Sequence, residues 1–170
     1  IGDGATAVVL RALDPRGKRH LALKVIVNPA DQRSLCQYLR ENQVLGGRNL
    51  PASIVRYFGC IEVPTHAHQP VLILEHIEGR SLREYLKSAR IGVERRIQLC
   101  RQLLSEVASL HDHDVLWADL SHNNMLIDTA GRMRFIDFGV AGDIGRDGRS
   151  ITSVHGGIGT RTIAAPEVLK

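Results

Sequence analysis

The chain has 170 residues, the usual size of one domain. Its composition, 44% hydrophobic and 24% charged, supplies enough apolar surface for a buried core and excludes wholesale disorder. No stretch approaches the roughly 18 consecutive apolar residues of a membrane span, and the first residues lack the basic and apolar regions of a signal peptide. We therefore expect a folded domain without a membrane-spanning segment.

The charge pattern argues against nucleic acid as a partner. The net charge of +4 comes from 22 Lys and Arg against 18 Asp and Glu, and the basic residues are scattered. Only 4% of residues are aromatic, and none form a stacking stripe among the basic residues of the kind that binds nucleic acid. The odd number and wide separation of the cysteines favour reduced thiols in the cytoplasm over disulfides or a zinc site. They are Cys36, Cys60 and Cys100.

Short apolar runs separated by turn signals predict a strand-rich first part. The predicted strands are residues 8–12, 20–27, 54–61 and 71–75. Between the second and third strands, helical spacing predicts a helix from Asp31 that ends at Gly46 and Gly47. Four residues share its predicted apolar face: Leu35, Tyr38, Leu39 and Leu45.

The second part is predicted to begin with helices. Ser81 and Glu84 have the spacing of a capping box, which predicts a helix start. A longer helix is predicted over residues 93–110. Its apolar face comprises Ile97, Cys100, Leu103, Leu104, Val107 and Leu110. The predicted elements that follow are a hairpin with strands 125–127 and 133–136 and a glycine-rich loop over 139–159. The change of character near residues 75–79 predicts two lobes, and the seam between lobes is a natural ligand site.

Two features of the first part suit phosphate chemistry. Gly2 and Gly4 lie in a predicted strand–turn–strand, where glycine lets the backbone approach phosphate oxygens closely, although such a pair alone also fits a plain hairpin. Lys24 is a charged residue inside an apolar strand, where it either points to solvent or binds an anion. Glu41 on the next helix could orient its ammonium group.

Three polar residues of the second part suit metal binding and proton transfer. Asn124 follows Asp119 by five residues, and Asp137 comes just after the predicted hairpin. If the three converge on one pocket, they supply one general base and two oxygen ligands for Mg²⁺.

Taken in order, these residues resemble the eukaryotic-type protein kinase family. The matching elements are the glycine-rich loop at 2–9, Leu-Ala-Leu-Lys ending at Lys24, the helix glutamate Glu41, Asp-x-x-x-x-Asn at 119–124, Asp-Phe-Gly at 137–139 and Ala-Pro-Glu at 165–167. The resemblance implies an α+β, two-lobed protein kinase fold. Residues 1–75 would form a small antiparallel sheet with one helix, 76–79 the hinge, and 80–170 a truncated, mainly helical lobe. Because the family continues with further helices after Ala-Pro-Glu, we expect this fragment to be poorly stable alone.

The resemblance also implies ATP and Mg²⁺ as cofactors and assigns roles to individual residues. Asp119 would accept the proton of the substrate hydroxyl, and Lys24, paired with Glu41, would contact the α- and β-phosphates. Asn124 and Asp137 would hold Mg²⁺. The implied nucleotide-binding positions are Ile1, Gly2, Gly4, Val9, Ala22, Lys24, Leu74 (the gatekeeper), Glu75, Ile77 and Leu126.

The chain departs from the family pattern around Asp119. Trp117 and Ala118 replace the His and Arg of His-Arg-Asp, and Ala118 cannot pair with an activation-loop phosphate as Arg does. Ser121 stands at a catalytic position where Ser/Thr kinases carry a Lys that contacts the γ-phosphate. Loss of that charge is expected to lower the rate by about 10²-fold.

Three functions remain open. The first is transfer of the γ-phosphate of MgATP to Ser or Thr hydroxyls of protein substrates, because Gly159-Thr160 resembles the Ser/Thr form of the family. The second is a pseudokinase scaffold that binds nucleotide but transfers little, which Ala118 and Ser121 favour. The third is an atypical small-molecule kinase, against which Ala-Pro-Glu argues. The expected location is the cytoplasm, either free or as the cytoplasmic domain of a larger membrane-anchored kinase.

We expect replacement of Ser150, Thr152 and Ser153 by Ala to leave the rate of phosphate transfer nearly unchanged, because Ala118 cannot pair with a phosphate on any of them. The measurement is transfer of labelled γ-phosphate by the triple variant and the unmodified protein at equal concentration. A large fall in the variant's rate would count against this route.

Overall fold

The structure is a computed structural model that describes residues 2–3, 7–64, 68–88 and 90–143, with only the backbone at 2, 3 and 143. The described residues do not include Ile1, Gly4, most of the predicted loop at 139–159 or Ala-Pro-Glu at 165–167.

An antiparallel sheet of five strands forms the first part. The strands are β1 (Gly2–Asp3), β2 (Ala7–Leu13), β3 (His20–Ile26), β4 (Tyr57–Val63) and β5 (Gln69–Glu75), in the order β1-β2-β3-β5-β4. Lys24 lies opposite Val9 on one side and Leu72 on the other, and Ala22 lies opposite Leu74. Because directly paired residues share a face of the sheet, the register gathers these five side chains on one face.

One helix, α1 (Gln32–Gly46), packs against this sheet. Asp31 caps its start, since the carboxylate accepts hydrogen bonds from the backbone N–H of Ser34 (2.8 Å) and from its hydroxyl (2.6 Å). Tyr38 is buried, as its position on the predicted apolar face requires, but Leu39 is 52% exposed. The prediction for Leu39 was wrong because the buried face is narrower than the apolar stripe. A charged residue, Glu41, takes a place on that buried face.

The described residues of the second part form two helices and two small sheets. The helices are α2 (Leu82–Ser88) and α3 (Val93–Asp112). The strands are β6 (Gly79–Ser81), β7 (Val115–Leu116), β8 (Met125–Asp128), β9 (Met133–Phe135) and β10 (Gly142–Asp143). They form an antiparallel sheet in the order β6-β8-β9 and an antiparallel pair of β7 and β10. The capping box is confirmed, because Ser81 Oγ accepts from Glu84 N at 3.2 Å and Glu84 Oε2 accepts from Ser81 N at 3.0 Å.

The predicted α+β class, with a small antiparallel sheet and one helix in the first part, is confirmed. Two predicted details were wrong. The strand predicted over residues 54–61 is β4, which begins at Tyr57 because Ile54 instead forms an isolated parallel bridge with Phe135. On α3, Ile97, Cys100 and Leu104 are exposed within the described chain, and burial falls on Leu99 and Leu110.

The core is continuous from the sheet to the second part, and its largest fully buried side chains include Phe135, Phe138 and Leu72. Within the described residues, no helix is both long and apolar enough to cross a membrane.

Gly79→Ala is expected to lower the free energy of unfolding by about 1–3 kcal/mol. A Cβ at Gly79 would lie 2.3 Å from the backbone oxygen of Ile127 in the paired strand β8, which cannot yield without breaking the ladder. Gly92→Ala is the matched control, since its Cβ would meet nothing within 4 Å, and its effect should be near 0.5 kcal/mol. Urea unfolding of both variants is the measurement, and equal stabilities would contradict the clash.

Candidate active site

A cleft of about 650 Å³ lies between the sheet and the second part. The sheet contributes Val9, Ala22, Lys24 and Leu74, and the opposite wall contributes Leu126, Ile136 and Asp137. Glu75 and Ile77, in the connection between the two parts, close one side. The cleft thus brings together seven of the ten positions at which the sequence predicted nucleotide contacts.

Lys24 lines this cleft and forms two ion pairs. Its ammonium Nζ lies 2.6 Å from Oε2 of Glu41 on α1 and 3.0 Å from Oδ1 of Asp137. The second oxygen of Glu41 accepts a hydrogen bond of 3.3 Å from the backbone N–H of Phe138. Strand β3, helix α1 and the segment after β9 therefore meet at one cation, as the sequence predicted for Lys24 and Glu41.

Burial and charge act in opposite directions on this cluster. Burial alone would lower the pKa of Lys24, but the carboxylates of Glu41 and Asp137 outweigh it and hold the pKa above its ordinary value. Lys24 is therefore a permanent cation. Burial of Glu41 raises the pKa of its carboxyl, and the charge of Lys24 opposes that change. A buried ion pair contributes little net stability, so the value of this arrangement lies in presenting a positive charge to the cleft.

Asp137 adopts a left-handed backbone conformation, with φ of 64°. Non-glycine residues in this region are strained unless their surroundings hold them there. Trp117 provides one such hold, because its indole N–H donates to the backbone oxygen of Asp137 at 3.0 Å. The same indole stacks on Phe138, with ring centroids 5.7 Å apart, and meets Phe135 edge-on at 5.2 Å. Trp117 is thus buried against the Asp-Phe-Gly segment and fits it.

Asp119 and Asn124 form a second polar pair. The amide Nδ2 of Asn124 donates to the carboxylate of Asp119 at 2.8 Å and to its backbone oxygen at 3.1 Å. The backbone oxygen of Asn124 accepts from Ile136 N at 2.9 Å, which ties this loop to the residue beside Asp137. Ser121 is buried in the same loop, and its carbonyl accepts from Asn124 N. Neither Asp119, Asn124 nor Ser121 lies on the cleft wall, where Asn123 appears instead.

The structure describes only part of the predicted glycine-rich loop. The backbone of Gly2 pairs with Val9 in the ladder of β1 and β2, which agrees with a strand at this point. The positions of Ile1 and Gly4 lie outside the described residues.

Two arginines make contacts at the site that were not predicted. Arg134 of β9 forms an ion pair with Glu75, and Arg40 of α1 donates to the backbone oxygen of Ala141 at 2.9 Å. Both join residues more than 50 positions apart, so no local spacing could have found them. An arginine in a short strand next to a predicted metal ligand was the one signal available. Polar residues that the sequence did not assign to the site also line the cleft, namely Arg11, His76, Glu78, Arg80 and Glu84.

The family model of the protein kinase domain matches residues 1–170. A probable serine/threonine-protein kinase of Streptomyces coelicolor is 27% identical to the chain, over 100% of the chain and 26% of the relative. The probable serine/threonine-protein kinase zyg-1 of Caenorhabditis briggsae is 31% identical, over 99% of the chain and 23% of the relative. A probable serine/threonine-protein kinase of Dictyostelium discoideum is 31% identical, over 100% of the chain and 33% of the relative. The chain thus spans a third or less of the length of these relatives.

Trp117→Phe is expected to lower the free energy of unfolding by about 1–3 kcal/mol, because Phe keeps the stacked ring but loses the N–H that pairs with the Asp137 carbonyl. Urea unfolding measures the change. An unaltered unfolding midpoint would show that this hydrogen bond does not hold Asp137.

Proposed function

Because the chain belongs to the protein kinase domain family, we propose that it transfers the γ-phosphate of MgATP to Ser or Thr hydroxyls of protein substrates. The observation that carries this proposal is the buried cation of Lys24, placed between Glu41 and Asp137 in the wall of a cleft. A fixed positive charge next to a carboxylate suits a ligand that carries both phosphates and a divalent cation.

In this proposal, Lys24 binds the α- and β-phosphates. The ammonium is permanently charged, and Glu41 prevents it from turning away from the cleft, since one carboxylate oxygen binds the ammonium and the other binds Phe138 N. A charged donor that is already oriented needs no reorganisation when the ligand enters.

The oxygen atoms of Asp137, which contacts Lys24, and of Asn124 also fit Mg²⁺. Asp137 retains exposure to the cleft, with 45% of its side chain accessible, although Oδ1 accepts from Lys24 and from Gly139 N. In Asn124, Nδ2 is turned to Asp119, so the amide oxygen is the atom that would serve as a ligand. Carboxylate and amide oxygens are the hard ligands that Mg²⁺ takes together with phosphate oxygens. Bound there, Mg²⁺ would neutralise charge on the phosphates.

The apolar part of the cleft suits a flat base. Val9 and Ala22 lie on the sheet side, Leu126 lies on the opposite wall, and Leu74 lies beside the connection formed by residues 75–78. Apolar walls with a few backbone polar groups at one edge are typical of a nucleotide base pocket.

Asp119 is the proposed general base for the substrate hydroxyl. Its carboxylate accepts a hydrogen bond from Asn124, which fixes the carboxylate relative to a proposed metal ligand. The preference for Ser and Thr rests on Gly159-Thr160, which lies outside the described residues, and agrees with the names of the relatives as serine/threonine-protein kinases.

A nucleotide-binding scaffold with little transfer is the second candidate. Ser121 stands where the resemblance implies a lysine on the γ-phosphate, and it is buried and carries no charge. Ala118 likewise supplies no guanidinium. The first substitution removes positive charge near the transferred phosphate and the second removes the partner of an activation-loop phosphate, while Lys24 and Asp137 are both retained.

Asp119→Asn is expected to lower transfer of labelled γ-phosphate from MgATP to a generic Ser/Thr substrate by at least about 10²-fold, because the substrate hydroxyl loses its base. The assay uses the full-length protein. Asp112→Asn, an exposed carboxylate at the end of α3, is the matched control and should transfer at the normal rate.

Two results would contradict the proposal. Equal transfer by Asp119→Asn and the unmodified protein would remove Asp119 as the base. No transfer by either protein, while MgATP still raises the melting temperature, would favour the scaffold.

A further inference from the structure

Arg134 makes an ion pair behind the cleft that the proposed chemistry does not use. Its Nη2 lies 2.7 Å from Oε2 of Glu75, and its Nη1 lies 3.3 Å from Oε1. The guanidinium and the carboxylate therefore meet as a two-bond fork, which is the most directional form of this interaction. The side chain of Arg134 is only 12% exposed, so solvent screens the pair weakly.

The same two side chains also bind a third segment. Arg134 donates through Nε to the backbone oxygen of Ser53 at 3.2 Å and through Nη2 to that of Ile54 at 3.4 Å. Glu75 accepts a further bond of 3.2 Å from the backbone N–H of Arg56. The pair therefore joins strand β9, the end of β5 and residues 53–56.

Leu21, the ladder partner of Glu75, lies three residues along β3 from Lys24, so the two ends of the cleft are separated by about 10 Å along the strand. Glu75 ends β5 at the edge proposed for the base, and Asp137 follows Arg134 by three residues at the end proposed for the metal. On the other side of the pair lies a second cavity of about 430 Å³, lined by Arg134, Glu75 and Arg56 among others. Because this cavity leaves one side of the pair without packed neighbours, the contact between Arg134 and Glu75 depends on its hydrogen bonds.

We propose that Arg134 is a positioning residue, whose ion pair with Glu75 holds the base end of the cleft and Asp137 at the separation that one bound nucleotide requires. This inference rests on the proposed nucleotide site. A ligand that contacts both ends benefits from their fixed separation, whereas a ligand that contacts one end does not.

The pKa of Glu75 agrees with a carboxylate committed to this pair. Burial raises it, but the hydrogen bonds from Arg134 and from the backbone of Arg56, together with their charges, hold it below the ordinary glutamate value. The carboxylate is therefore ionised, and the pair intact, throughout the neutral range.

The test compares three ligands on the full-length protein by calorimetric titration: adenosine, magnesium tripolyphosphate and MgATP. In Arg134→Gln, affinity for MgATP is expected to fall about tenfold, the effect of losing a charged hydrogen bond. Affinity for adenosine and for magnesium tripolyphosphate should change by less than about twofold, because each occupies one end only. Arg134→Lys, which keeps the charge but not the fork, should recover part of the MgATP affinity.

Arg132→Gln is the matched control. Arg132 lies in the same hairpin and pairs with Asp128 at 3.1 Å, but its side chain is 70% exposed and neither residue lines the cleft. All three affinities should stay at the normal value. Glu75→Gln removes the other partner of the ion pair and replaces Arg134→Gln in the test if that variant does not fold. It should show the same selective loss for MgATP.

The outcomes separate this inference from the function on which it rests. If the unmodified protein binds none of the three ligands, the nucleotide site itself is wrong. If the unmodified protein binds MgATP and both Arg134→Gln and Glu75→Gln bind it equally well, Arg134 has no positioning role. A parallel loss of adenosine affinity would also overturn the inference, since it would mean that Arg134 only shapes the base pocket.

Discussion

A lysine ammonium buried between two carboxylates determines how three distant segments of this chain lie together. An isolated charge in the interior costs several kcal/mol, so once strand β3 directs Lys24 inward, helix α1 and the segment after β9 must each bring a carboxylate to it. Glu41 meets this demand from the buried face of α1, and its second oxygen binds Phe138 N. The orientation of the helix and the path of the chain after Asp137 therefore depend on one cation.

The strained backbone at Asp137 is the other side of the same constraint. An aspartate keeps a left-handed backbone conformation only where its neighbours hold it there. Here the indole N–H of Trp117 donates to the carbonyl of Asp137, and the indole ring stacks on Phe138. The cleft is also bordered from behind by the pair of Arg134 and Glu75. The ion pairs of Lys24 thus lie in the wall of the cleft, and the pair of Arg134 and Glu75 lies behind it.

Much of the fold and of the site could be predicted because the signals are local. The capping box of Ser81 and Glu84 marks a helix start within four residues and forms as predicted, and the helix predicted from Asp31 begins directly after that residue. Lys24 is conspicuous as a charge inside an apolar strand, and the spacing from Asp119 to Asn124 is short enough to bring both into one loop. Order along the chain and residue type were sufficient to indicate a protein kinase domain.

The sequence by itself determined where most of the described helices and strands form, because capping, periodicity and turn chemistry act over a few residues, and it singled out Lys24, Glu41 and Asp137, which the structure brings together. Only the tertiary structure decided which side of each helix is covered, as the exposed Leu39 and Leu104 show, because periodicity reports an apolar stripe and not the surface that packs on it. Tertiary structure also selected the partners of Trp117 and Arg134. Those contacts arise between segments that approach each other only after the chain has folded, so their directional geometry has no counterpart in local sequence.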